Sequence, residues 1–280
     1  MCRIFGFRSI LQSQVHHSLV KADNNLGLQS VNHPDGWGVA YYVARSPHVI
    51  KSSSQALEDS LFKRVSGVVS SETVLAHIRK LTHGDVNLLN THPFQYGRWV
   101  FAHNGNIKDF NKYRETFLNK IDPELKRFIL GDTDSEIIFY LLLTNLKKLT
   151  PLDQKLSDSN HLVEAMKMAL SEITQMTGPW SEDNDGDPND TYLTFILTDG
   201  KNMIAHQGGK DLYYSTYKKR CSERDTCPKF SPVCEAPASE GVVNHMIFSS
   251  EPLSGENAWE PLKPGQLMGV DDKMHLIQIK

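Results

Sequence analysis

Short β-rich runs appear at residues 3–7, 38–43, 73–78, 98–102, 192–197, 203–206, 246–249 and 275–279, and each has the length and residue types of a strand. Apolar residues recur at helical spacing most clearly over 134–149 and 161–176, and more weakly over 55–65 and 108–119. Strands in runs with a few helices between them predict an α+β layered fold rather than a doubly wound parallel sheet. The helix from 134 has its own start signal. Thr133 and Glu136 stand at capping-box spacing, which puts Asp134 in the first turn, where a carboxylate suits the positive end of the helix dipole.

Two stretches break the pattern. Residues 178–190 are dense in Asp, Asn, Gly and Pro, and residues 218–241 hold three cysteines and three prolines. Both read as surface insertions. Neither shifts composition enough to mark a boundary, no internal repeat is present, and a 280-residue layered protein fits one core, so residues 1–280 are read as a single domain.

A hydrophobic fraction of 39%, a charged fraction of 22% and a net charge of -3 speak against disorder and against a nucleic-acid-binding field. The N-terminus MCRIFGFRSI has no apolar signal segment, and the longest apolar stretch, residues 137–143, is too short to cross a bilayer. A cytoplasmic protein with no membrane partner is expected. Four cysteines in 280 residues fit reduced thiols rather than a disulfide framework.

Cys2 changes the picture. It is small enough for Met1 to be trimmed, which would leave one residue carrying both a thiol and a free α-amine. Their reference pKa values, roughly 8.5 and about 7.7–8.0, lie close enough for the amine to take the thiol proton directly or through one water. The run Arg3-Ile4-Phe5-Gly6 would anchor such a terminus in a sheet.

Polar segments follow at Arg79 to Gly84, at Asn90-Thr91-His92-Pro93, at His103-Asn104-Gly105-Asn106, and at Thr133-Asp134-Ser135-Glu136. A glutamine-like substrate asks for a forked cation on its α-carboxylate and an anion on its α-ammonium, and Arg79 and Asp134 are the candidates. Thr82 and His83 offer further donors to the carboxylate. Thiolate attack on an amide creates an oxyanion, for which Asn104 has a side-chain NH2 and Gly105 an unobstructed backbone N–H. Each piece also has a plain reading. Asn-Gly is most often a β-turn dipeptide, and Asp134 suits a helix start whatever else it does.

Taken together, Cys2, the R-x-x-T-H-G run at Arg79 to Gly84, His92-Pro93, His103-Asn104-Gly105 and T-D-S-E at Thr133 to Glu136 resemble the class II glutamine amidotransferases in order and rough spacing. The match covers about the first half of the chain. The segments beginning at Met246 and Pro264, with Asp35-Gly36-Trp37-Gly38, are similar to the stand-alone branch of that family, which includes YafJ-type proteins and the hydrolase of ergothioneine biosynthesis. The resemblance implies an N-terminal-nucleophile sandwich of two antiparallel sheets in four αββα layers. It also implies Cys2 as nucleophile, Asn104 and Gly105 as oxyanion donors, and Arg79, Thr82, His83 and Asp134 as ligands of the glutamyl end. No cofactor or metal is expected, and the implied partner is a small γ-glutamyl substrate.

Three functions remain open at this level: a γ-glutamyl amidohydrolase, a glutaminase subunit that delivers ammonia to a protein partner, and a catalytically silent binding protein. A homo-oligomer is compatible with all three. His77, His92 and His103 read as hydrogen-bonding scaffold, and the Asp35 to Gly38 run as a structural or pocket-shaping turn. Cys221, Cys227 and Cys234 lack the short C-x2-4-C pair of a structural zinc site, and residues 182–190 do not fit a calcium loop.

Overall fold

Along the first strand Ile4, Phe5 and Phe7 are all buried, yet Ile4 belongs to one apolar cluster and the two phenylalanines to another. Successive side chains on a strand point to opposite faces, so a strand buried on both faces must lie between two layers. A computed structural model, which describes residues 2–82, 84–156, 158–222, 224–238 and 240–279, has that arrangement.

The strands in chain order are β1 (Arg3–Gln14), β2 (Trp37–Val43), β3 (Ser46–Ser52), β4 (Ser70–Ile78), β5 (Phe94–Tyr96), β6 (Trp99–Asn106), β7 (Tyr192–Thr198), β8 (Met203–His206), β9 (Tyr213–Ser215), β10 (His245–Ser249), β11 (Glu260–Pro261), β12 (Leu267–Val270) and β13 (Leu276–Ile279). They form a seven-stranded sheet, β11-β9-β10-β1-β4-β2-β3, and a six-stranded sheet, β13-β12-β8-β7-β6-β5. Every neighbouring pair is antiparallel.

Helices α1 (Leu26–Gln29) and α2 (Ser60–Val68) lie against the outer face of the first sheet, where Leu26, Phe62 and Val65 meet Phe5, Phe7, Trp37 and Val74. Helices α3 (Phe110–Lys120), α4 (Pro123–Lys126), α5 (Asp134–Lys147) and α6 (Asn160–Thr177) share an apolar cluster with Phe101, Phe195, Leu197 and Ile204 on the outer face of the second. The inner faces meet through Ile4, Ala40, Leu75, Val100, Ala102, Ile196, Met203 and Phe248. These are the four αββα layers that the resemblance implied. Among the described residues, no helix is long and apolar enough to cross a membrane.

The expected elements are present with shifted ends. The first strand runs on to Gln14 and the fourth expected strand to Asn106. Five strands were not foreseen: β3, β5, β9, β11 and β12. Three of these have three residues or fewer, too short for a period to show, and β3 is a largely polar edge strand. Asn104-Gly105 lies inside β6, not in a turn.

The inter-sheet layer is closed at one end by polar bridges. The Tyr42 hydroxyl donates to the carbonyls of Arg98 (2.7 Å) and Thr198 (3.2 Å), and Thr73 Oγ1 donates to the carbonyl of Gly200 at 2.9 Å. At the other end the chain around His92 enters beside β2, and a Cβ on Gly38 would sit 2.1 Å from the His92 carbonyl oxygen. Gly38→Ala should therefore lower the unfolding free energy by about 1–3 kcal/mol. Urea denaturation measures this, and an unchanged midpoint would show that residues 91–93 have room to retreat.

Candidate functional site

The period of two carries the inter-sheet layer into the site. Ile4, Leu75, Ala40 and Ala102 all face the gap between the sheets. Two positions further toward the same end on each strand are Cys2, His77, Gly38 and Asn104, so the apolar filling gives way there to a thiol, an imidazole, a glycine and an amide. His77 Nε2 donates to the His103 carbonyl across the gap at 3.2 Å, tying β4 to β6 behind Cys2.

Cys2 is buried where β1 meets the end of β4. Its thiol donates to the Lys80 carbonyl and its sulfur accepts from the Lys80 N–H, each at 3.3 Å. Burial pushes the Cys2 thiol up, while the Lys80 N–H and the Arg79 charge pull it down and Asp134 pushes it up again. Cys2, Arg79 and Asp134 thus share one electrostatic neighbourhood. A thiol held protonated by desolvation needs a base to become a nucleophile.

Arg79 is buried immediately after β4, and its backbone is clasped by the turn at residues 35–36. Its N–H donates to the Gly36 carbonyl at 2.8 Å, its carbonyl accepts from Asp35 N–H at 3.2 Å, and Asp35 Oδ2 accepts from Leu81 N–H at 2.8 Å. The Asp35 to Gly38 run is therefore structural in this chain. Arg79 Nη1 donates to the Asp85 carbonyl at 2.9 Å. Asn90, fully buried, donates to the same carbonyl at 3.1 Å and accepts from Asp132 N–H at 2.9 Å. One amide side chain therefore joins the loop carrying Arg79's partner to the loop that leads into Asp134.

Helix α5 begins as its residues predict. Thr133 Oγ1 accepts from Glu136 N–H at 3.2 Å, capping the first turn. The reciprocal half of the box is diverted, since the Glu136 carboxylate accepts instead from the N–H groups of Leu130 (3.1 Å) and Gly131 (2.7 Å). Asp134 Oδ2 accepts from Ile107 N–H at 2.6 Å, and Oδ1 from Ser135 N–H at 2.8 Å. Asp134 thus fastens the helix start to the end of β6 as well as facing Cys2 electrostatically.

On β6, Asn104 is buried with Oδ1 lacking a partner. Gly105 stands opposite Leu193, whose N–H donates to the Gly208 carbonyl (2.7 Å) and whose carbonyl accepts from His206 Nδ1 (2.8 Å). Both backbone groups of a strand residue point the same way, so this is a non-bonded pair and the Gly105 N–H is aimed away from β7. The adjacent strand β5 reaches only to Phe94, opposite Phe101, and leaves that edge without a strand partner among the described residues. A Cβ on Gly105 would lie 2.1 Å from the Tyr192 carbonyl oxygen and 2.4 Å from His103 Nε2, which bonds that carbonyl at 2.9 Å.

The fold brings together Cys2, Arg79, Asn104, Gly105 and Asp134. Thr82 is exposed at the rim with no hydrogen-bond partner among the described residues, and His83 and Met1 lie outside those residues. Asn90, Asp35 and Ser135 also belong to the site. Asn90 and Ser135 stand within the polar segments singled out from sequence, but nothing in their spacing says what they join. His77 and His103 are buried hydrogen-bonding scaffold, His103 Nδ1 pairing with Ser135 Oγ at 2.9 Å, whereas His92 is buried with neither ring nitrogen partnered and packs on the rings of His77 and Phe94 instead. Cys221, Cys227 and Cys234 are free thiols, and Cys234 Sγ accepts from Asn244 Nδ2 at 2.9 Å.

The family profile described as "Glutamine amidotransferases class-II" matches residues 1–277. "Probable glutamine amidotransferase DUG3" of Saccharomyces cerevisiae is 29% identical over 225 residues, 73% of this chain and 63% of that protein, so the chain spans less than two thirds of that relative. "Putative glutamine amidotransferase YafJ" of Escherichia coli is 25% identical over 281 residues, 95% of this chain and 96% of that protein. A solved glutamine aminotransferase class-II domain protein from Silicibacter pomeroyi superposes with a TM-score of 0.63 at 20% identity, covering 100% of this chain and 99% of that one. That likeness shows the fold.

The buried histidines make the fold sensitive to acid. Desolvation pushes His77 down to about 3 and His206 down to about 4. An unfolded histidine titrates near 6.5, so between that value and the folded one the unfolded chain binds the extra proton. Stability is then full above about pH 6.5 and falls as pH drops, by about 2 kcal/mol per histidine between pH 7 and pH 5. Urea midpoints at the two pH values measure the loss, and equal midpoints would mean that these histidines protonate in place.

Proposed function

This chain belongs to the class II glutamine amidotransferases, and on that premise we propose that it hydrolyses a γ-glutamyl amide with Cys2 as the nucleophile. The observation that carries the proposal is the Cys2 thiol, buried at the polar end of the inter-sheet gap within the electrostatic range of both Arg79 and Asp134.

Removal of Met1 frees the α-amine of Cys2, which takes the thiol proton. The thiolate attacks the γ-carbonyl carbon, and the carbonyl electrons move onto oxygen, where the Asn104 NH2 and the Gly105 N–H donate to it. The tetrahedral adduct collapses as the C–N bond breaks, and the proton held by the α-ammonium goes to the leaving nitrogen. Water then attacks the γ-glutamyl thioester, gives a proton back through the amine, and releases glutamate and the thiol. Throughout, the Arg79 guanidinium pairs with the α-carboxylate and Asp134 with the α-ammonium, while Thr82 and His83 offer further donors to the carboxylate. Gly105 carries a feature such a hole needs, an N–H aimed away from the ladder, and Asn104 is buried next to it on the same strand.

Cys2→Ala should abolish glutamate release from every γ-glutamyl compound tried while the thermal midpoint stays near that of the parent protein. Residual release in that variant would sink the nucleophile assignment. Asn104→Ala should lower kcat by about 10²–10³-fold, and Arg79→Lys should act mainly by raising KM for glutamine. Intact mass of the active protein should show Met1 absent, and full activity with Met1 retained would rule out the amine as base.

A further inference from the structure

The edge strand of the first sheet, β3, carries a half-buried lysine, Lys51, as the cross-strand partner of Gly38 on β2. Opposite residues of an antiparallel pair point to the same face, so Lys51 and Gly38 both meet the chain at residues 91–93. At Gly38 the His92 carbonyl takes the space of the missing side chain, and at Lys51 the ammonium donates to the Thr91 carbonyl at 2.7 Å. That ammonium lies 5.8 Å from the centre of the Phe94 ring, and Glu136 acts on it electrostatically from α5. Burial pushes Lys51 down to about 8 while Glu136 pulls it up, so it carries its charge at neutral pH.

The carbonyl that Lys51 holds closes a knot. Thr91 N–H donates to the Leu88 carbonyl at 3.3 Å, Thr91 Oγ1 to the Asn87 carbonyl at 2.7 Å, and Asn90 N–H to Asn87 Oδ1 at 2.9 Å. Residues 87–91 are thus one braced piece, and Asn90 connects it to both charges of the glutamyl end. Its amide donates to the Asp85 carbonyl that Arg79 Nη1 also holds, and accepts from the N–H of Asp132, two residues before Asp134.

The fit around that amide leaves little room to swing. A Cβ on Gly84 would lie 2.7 Å from Asn90 Nδ2, and one on Gly131 would lie 2.4 Å from Asn90 Oδ1. The turn that clasps the Arg79 backbone packs on the same piece, since a Cβ on Gly36 would lie 3.2 Å from Thr91 Oγ1. The bonds inside the piece join neutral groups, whereas Lys51 brings a charged donor to it from the sheet edge. Charge-assisted bonds are roughly twice as strong as neutral ones.

We propose that Lys51 is a positioning residue for the glutamyl end of the substrate. By holding the Thr91 carbonyl it fixes residues 87–91, and through Asn90 it sets the placement of the Arg79 guanidinium relative to Asp134. This rests on the reading of Arg79 and Asp134 given above. A residue that acts in this way governs the grip on the α-carboxylate and α-ammonium rather than the bond changes at the γ-carbonyl, so its loss shows in KM more than in kcat.

The test measures glutamate release from glutamine by the mature protein and its Lys51→Met, Lys51→Gln and Lys51→Arg variants, with thermal midpoints alongside. The expected result is a KM at least about 10-fold higher in the two neutral variants with kcat within about threefold of the parent, and a KM within about threefold in Lys51→Arg. An unchanged KM in both neutral variants, a loss in kcat alone, or no rescue by arginine overturns the proposal. Neutral variants that fail to fold would assign Lys51 to stability and overturn it as well.

Amide hydrogen exchange, read in the same proteins without substrate, separates this proposal from the reading it rests on. The N–H groups of Asn90, Thr91 and Asp132 should exchange at least about 10-fold faster in Lys51→Met than in the parent, with β7 unchanged. Faster exchange at these groups in a protein that releases glutamate from no γ-glutamyl compound would sink the amidohydrolase reading and leave the brace standing. Equal exchange in an active protein would do the reverse.

Discussion

Everything at the candidate site depends on how the gap between the two sheets ends. Its middle is filled by alternate side chains of strands that are also buried on their outer faces, so no strand can slip by one residue without exchanging two apolar cores. That constraint fixes which residues of β1 and β6 look at each other. Once Ile4 and Ala102 are committed to the gap, Cys2 and Asn104 must follow them into it. The far end is shut by Tyr42 and Thr73, which bond carbonyls of the opposite sheet. The near end is tied by His77 and left polar, with buried atoms of His77, His92 and Asn104 still without partners.

The charges around that end are set by loops braced against one another. Arg79 is clasped by the Asp35-Gly36 turn, and Asn90 links the carbonyl that Arg79 holds to the backbone entering α5. Asp134 in turn bonds the chain leaving β6. A forked cation and a carboxylate are thus held relative to each other through hydrogen bonds to neutral backbone and amide groups. This is the sort of second layer that a rigid recognition site requires.

Much of this was legible in the chain. Apart from the far end of β1, the strands with β-branched or aromatic runs and the long helices were placed to within a few residues, because their periods are set by burial on faces that local spacing already defines. The Thr133 cap was visible for the same reason, since donor and acceptor are three residues apart. The very short strands were not, having no length over which a period can register. Asn104-Gly105 was ambiguous because its dipeptide preference is for a turn, whereas here glycine is required by the Tyr192 carbonyl and the His103 ring, contacts supplied from elsewhere in the fold.

The sequence by itself determined a layered α+β protein, a cysteine at the second position, and a set of polar segments whose residue types suit a γ-glutamyl amide. Those properties are local, or are counts along the chain. Only the tertiary structure decided that Cys2 lies against Lys80 and that Asn90 joins Asp85 to Asp132. Such contacts join residues tens of positions apart, and no spacing rule reaches that far. They exist because strand order and register bring the ends of β1, β4, β6 and β7 to one edge of a single desolvated gap.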